Sequence, residues 1–197
     1  MKAETQYGST RINYRISVRV LVLSVLFVVL MAGQLRAESV TSYPDSKAVI
    51  DNNCPYVKLS SFWFENRYER NGRHFVQGMT WTNVAGQPVI AFEIVILRYD
   101  AFNQRINGQS WVITGNDSDN WQPLQPGVSG SDITYSLTTE EVFTSIAYVR
   151  TVRLKNGTIW RVDPKDLPAR FHILAPEIDQ LGNLNPDYKI LSSSRSS

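Results

Sequence analysis

The chain has 197 residues, a length that suits one domain plus extensions. It is 43% hydrophobic and 19% charged, a composition that supports a packed core and excludes a wholly disordered chain. The formal charge of +2 is unevenly spread: Lys2, Arg11, Arg15, Arg19 and Arg36 precede Glu38 against Glu4 alone, so the other fifteen basic and seventeen acidic groups leave the body at −2, a balance that argues against nucleic-acid binding.

Residues 1–37 have the order of a secretory signal. Basic residues up to Arg19 precede an uncharged run from Val20 to Leu35, with small residues near its end. As a helix that run would be about 24 Å long, against roughly 30 Å of bilayer hydrocarbon. The length favours a cleaved signal peptide, with Ala32, Gly33 and Ala37 as candidate sites. None has a small residue three positions before the cut, and the long basic region also suits an uncleaved anchor. Under either alternative the body lies outside the cytoplasm, periplasmic or secreted, and meets a membrane only through residues 20–35.

Residues 38–55 form a polar lead-in. The single cysteine, Cys54, allows no internal disulfide. It reads as a small apolar residue at the domain's edge, with an intermolecular disulfide as the alternative.

From 56 to 165, apolar segments alternate with turn residues at intervals of roughly ten, the pattern of an all-β sandwich or barrel. The predicted strands are 56–66, 74–83, 89–99, 110–114, 132–137, 144–155 and 158–163, seven to eight in all, with Glu140–Phe143 as a helical turn. In the second, Phe75, Met79 and Trp81 share one face. The third is apolar on both faces: Ile90, Phe92, Ile94 and Ile96 on one, Val95, Leu97 and Tyr99 on the other. Such a strand requires cover on both sides. One cover is a second sheet. The other is either a partner docked on Val95, Leu97 and Tyr99, or the C-terminal stretch with Phe171, Ile178 and Leu181. The extension 166–197 is expected to be disordered at its end.

Asn156-Gly157 between two apolar runs signals a hairpin. A two-residue turn puts Leu154 opposite Ile159 on the core side and Arg153 opposite Trp160 on the surface. A bulge in the turn would reverse one strand and bury Trp160.

Trp81-Thr82-Asn83, Pro88-Val89-Ile90, Ile96-Leu97-Arg98-Tyr99-Asp100-Ala101-Phe102, Leu124-Gln125-Pro126-Gly127 and Val152 to Trp160 occur in that order. Taken together, residues 56–163 resemble the FxLYD-type family of small immunoglobulin-like domains of exported bacterial and archaeal proteins. Tyr99-Asp100 match its name motif, while Ile96 stands for the Phe and Arg98 for the Leu. The resemblance implies a single immunoglobulin-like β-sandwich and no known catalytic residues.

Catalytic patterns find little support. The two histidines, His74 and His172, have no ligand spacing. Gly127-Val128-Ser129-Gly130-Ser131 lacks the nucleophile-elbow glycine. Asn116 to Asn120 offers oxygen ligands, but Trp121 and Gln122 stand where a calcium loop needs other groups. Glu93 and Asp100 lie more than about 20 Å apart along one strand, too far for a carboxylate pair. No catalytic, cofactor or metal residue is therefore assigned. Candidate contact residues are Trp160, Arg153, Trp121, Val95, Leu97 and Tyr99. They suit a module that binds a protein or an envelope component. A row of exposed tryptophans would instead suit a carbohydrate-binding module, and a deep pocket of convergent loop residues an enzyme or enzyme subunit.

Overall fold

The computed structural model describes residues 46–70, 72–114, 122–137 and 141–192. The signal or anchor segment, the Asn116–Trp121 loop and the final serine-rich tail lie outside the described residues. Of the predicted helical turn only Glu140 does; Glu141 to Phe143 are irregular chain that bends at Phe143, not helix.

The fold is mostly strand, in two sheets with one short helix. The larger sheet has the order β1 (Lys47–Asp51), β7 (Thr144–Leu154), β4 (Val89–Tyr99), β5 (Arg105–Thr114), β9 (Tyr188–Ser192), with β8 (Ile159–Arg161) also on β7. The smaller sheet is β2 (Val57–Glu69), β3 (Gly72–Asn83), β6 (Ser129–Leu137). A helix, α1 (Leu167–Leu174), follows β8.

The two sheets pack face to face. Val57, Leu59, Met79 and Trp81 of the smaller sheet meet Phe92, Ile94, Ile96, Trp111 and Val149 of the larger. Trp81 sits edge-on to Phe92, ring centroids 5.6 Å apart, a favoured aromatic geometry. Cys54 is buried at the border of this core. Its Sγ accepts the N–H groups of Tyr56 and Val57, and burial, partly offset by those two bonds, raises its thiol pKa.

A second core lies on the other side of the larger sheet. Val95, Leu97, Tyr99, Ile146 and Tyr148 pack beneath Leu167 and Phe171 of α1 and Ala175, Ile178 and Leu181 beyond it. The double-sided apolar strand β4 is thus covered by the chain's own C-terminal segment. Val95, Leu97 and Tyr99 are fully buried, which removes them as a partner surface. The Tyr99 hydroxyl donates to the Leu181 carbonyl, and burial pushes its pKa up to about 12.

The domain is therefore wider than 56–165. Lead-in residues form β1, which pairs in parallel with β7 from Lys47↔Thr144 to Asp51↔Tyr148. The C-terminal extension supplies α1 and β9, the latter parallel to β5. Arg170 of α1 pairs with Asp51 of β1, and Lys47 pairs with Glu177 at 2.9 Å. In α1, Pro168 at the start is tolerated because the first N–H groups lack helical partners. Leu167 and Phe171, four apart, are its buried residues.

Two bulges alter the expected faces. Val89↔Leu154 is followed by Ala91↔Arg153, so Ile90 is the extra residue. It turns out of the core and Val89 turns in. Glu93↔Thr151 is followed by Ile94↔Val149, which makes Arg150 extra. A bulge re-aims side chains locally, and here Arg150 and Thr151 both face outward between buried Val149 and Val152.

The Asn156-Gly157 hairpin has three loop residues. Gly157 N–H donates to Leu154 O at 3.0 Å and Leu154 N–H to Thr158 O at 2.9 Å, with Gly157 at φ +90°. The register is Val152↔Trp160 and Arg153↔Ile159. Trp160 consequently shares Val152's side of the hairpin. It is half-buried against both cores and edge-on to Tyr56 at 6.4 Å. Ile159, expected inside, is exposed beside Arg153.

Candidate partner-binding face

The outward face of the smaller sheet is built by the period-two rule from β2, β3 and β6. A register shift between Leu59 and Ser61 makes Ser60 the extra residue. Beyond it Phe62 and Phe64 turn inward. Phe62 packs on the inter-sheet core, and Phe64 stacks on buried Phe75 at 5.4 Å. Trp63 and Glu65 therefore turn outward.

Side chains directly opposite in neighbouring strands share a face. Trp63 pairs with Gly78, and Gly78 with Ile133, so these three form one row across the sheet. The next row is Glu65, Val76 and Tyr135. Trp63 is 40% exposed, Ile133 50% and Tyr135 65%, while Val76 between them is buried. A Cβ at position 78 would lie 2.5 Å from Trp63 Cε2. The indole occupies the space that any larger residue at 78 would fill. A strand-interior glycine often marks such a close approach.

The fringe is polar. Arg67 donates to Glu65 within the face at 2.8 Å, and Thr80 and Ser131 pair in the row beyond Trp63. An exposed aromatic-aliphatic centre with a polar rim makes this face the candidate contact surface. Trp and Tyr anchors carry most binding energy at such surfaces.

At one end of the inter-sheet space the apolar core gives way to Arg98, which is buried. Its guanidinium lies 4.1 Å over the Phe75 ring. It donates to the Tyr188 hydroxyl at 2.8 Å and to Gln109 Oε1. Burial lowers its pKa, with the Tyr188 bond acting in the opposite sense. Stacking plus neutral acceptors lets a weakly hydrated guanidinium sit where an ammonium would not.

The sequence-predicted contact residues are not brought together. Val95, Leu97 and Tyr99 lie beneath the C-terminal segment. Trp160 is half-buried, Arg153 is exposed on the larger sheet, and Trp121 lies outside the described residues. Carboxylates considered for catalysis have other duties. Glu93 accepts two bonds from Arg150 at 2.7 Å each and one from Ser110 at 2.6 Å. Asp100 accepts the N–H groups of Phe102 and Gln104.

Trp63, Ile133 and Tyr135 were missed from sequence. The available signal was Gly78 in the interior of a strand, but the outward position of Trp63 depends on the Ser60 bulge.

No family model matches the chain, and no curated protein matches it. Two solved structures are similar. A hypothetical protein from Peptoclostridium difficile 630 is 11% identical, with a TM-score of 0.42 over 61% of this chain and 92% of that one. The putative ApaA protein from Bordetella pertussis is 14% identical, with a TM-score of 0.31 over 60% and 90%.

Proposed function

We propose that this chain is an exported, non-catalytic interaction module built on an immunoglobulin-like β-sandwich, and that it recognises a protein of the cell envelope through Trp63, Ile133 and Tyr135. The observation that carries the reading is the exposed row Trp63–Gly78–Ile133 with Tyr135 beside it. Apolar groups of this size held open to water cost free energy that a partner would recover.

Export rests on the basic N-terminal region followed by the uncharged run 20–35. If uncleaved, that run also tethers the module. A non-catalytic role is supported by the employment of Glu93, Asp51, Asp100 and Asp187 in ion pairs and turns. The immunoglobulin-like, FxLYD-type reading is supported by the work of its two matching residues. Tyr99 anchors β4 beneath the C-terminal segment, and Asp100 closes the turn into β5.

One observation favours a second reading. An exposed indole and an exposed phenol ring on one sheet face also suit stacking on a sugar, so a carbohydrate-binding module is the alternative.

The test isolates the wild-type chain and a Trp63→Ala/Tyr135→Ala variant from the native envelope after mild crosslinking. A defined protein bound to the first and absent from the second is expected when both melt at similar temperatures. Equal recovery, or recovery of glycan alone, would refute the protein-binding reading.

A further inference from the structure

A cleft of about 370 Å³ lies on the opposite side of the molecule, between the outward surface of β7 and β8 and the C-terminal segment. Its volume falls within the range of about 300–1,000 Å³ usual for small-molecule sites. The Arg150 bulge creates one wall. Because Arg150 and Thr151 both face outward there, a guanidinium and a hydroxyl stand side by side, with Arg161 opposite Thr151 on β8.

The two guanidiniums are differently prepared. Arg150 uses Nε and Nη2 on Glu93, which fixes its plane and leaves Nη1 for another acceptor. Arg161 is exposed and has no ion-pair partner among the described residues. The floor is apolar, from Val162 and Leu167. Tyr148 is buried beneath, its hydroxyl spent on the Leu184 carbonyl at 3.0 Å. Leu184 and Asn185 form the far rim.

A second groove of about 270 Å³ shares Arg150 and Thr151 and adds Arg153 and Lys189. Four cationic groups thus line the two, and Glu93 is the carboxylate among them. This is a local positive field on a body whose net charge is −2. Such a field attracts anions and raises their local concentration. A planar guanidinium fork fits a carboxylate in a bidentate way.

We propose that this cleft binds a carboxylate attached to an apolar group, the carboxylate held by Arg161 and Arg150 and the apolar group seated on Val162 and Leu167. A peptide's C-terminal end and a free alkyl acid share this chemistry. The site is distinct from the Trp63 face, and neither proposal depends on the other.

Isothermal titration of the full chain with N-acetyl-Leu-Leu, with octanoate, and with the corresponding amides tests it. Saturable binding of at least one acid is expected, with its amide at least tenfold weaker and the Arg161→Gln variant also at least tenfold weaker. Preference for the dipeptide identifies a peptide end as the source, and preference for octanoate an alkyl acid. Arg161→Glu should abolish binding, while Lys58→Gln on the other sheet should leave it unchanged. Arg161 is exposed, so an unshifted melting temperature in each variant shows that folding is intact. Absence of binding by either acid, equal binding of acid and amide, or binding indifferent to Arg161 would overturn the proposal.

Discussion

The indole of Trp63 rests directly against Gly78, its cross-strand partner, closely enough that a Cβ at position 78 would lie 2.5 Å from the ring. The glycine thus holds the aromatic residue against the sheet while its other face stays open to solvent. This contact sets the shape of the proposed binding face and predicts that Gly78→Ala forces the ring outward. The displaced atoms are the outer ring of a part-exposed side chain, which can swing toward solvent, so the cost should stay under about 1 kcal/mol. Denaturant melts and the emission of a variant retaining Trp63 as its one tryptophan provide the check. Nearly unchanged stability with a red-shifted emission is expected, and an unchanged spectrum would contradict the contact.

The two cores should fail independently of the face. Phe92→Ala in the inter-sheet core and Phe171→Ala in α1 should each cost about 3–5 kcal/mol, the usual penalty for a large aromatic cavity. Thr80→Ala, on the outward side of β3, should cost under about 1 kcal/mol. Chemical denaturation of the three variants measures this. A Phe171→Ala loss as small as that of Thr80→Ala would mean that the C-terminal segment is not part of the domain.

Acid should weaken the domain partly through Glu93. Burial raises its pKa, but hydrogen bonds from Arg150 and Ser110 and the nearby charges of Arg150 and Lys189 outweigh that and hold it below the ordinary carboxylate value. A carboxyl group with a depressed folded pKa stabilises fully above its unfolded value of about 4.3. That contribution disappears as pH falls through the lower folded value. Glu93→Gln should therefore be less stable than wild type at pH 7, with the gap narrowing below about pH 4. Melting temperatures from pH 7 to pH 3 test the sign; a gap that widened on acidification would contradict it.

The mature protein is expected to lack residues 1–32 to 1–37. The short uncharged run before Arg36 motivates this. Intact mass of protein from the native host decides it, and a full-length mass in the membrane fraction would establish the anchor instead.

What the sequence revealed depended on the range of the interactions involved. The bounds of β4, Val89 to Tyr99, followed from period and turn residues, and its apolar faces correctly demanded two covers. The choice between a partner and the chain's own end was open until Phe171 and Ile178 were seen on Val95 and Leu97. β1 and β9, each five residues long and joined in parallel to distant strands, have no local hairpin to announce them. The turn at Asn156-Gly157 was legible, but not its register. One added loop residue moved Trp160 from Arg153's side to that of Val152, because a one-residue slip exchanges faces. Similar single-residue bulges at Ser60 and Arg150 hid the exposed face and the cationic cleft.

The central claim is that a protein partner sits on the Trp63 face. Its most direct measurement is site-specific photocrosslinking in the native envelope, with a photoreactive phenylalanine at Tyr135 in one version and at Ile159 in another. Both positions are exposed, but on different sheets. A discrete protein adduct from position 135 and none from position 159 is predicted. Adducts from neither position, or the same adduct from both, would contradict the account.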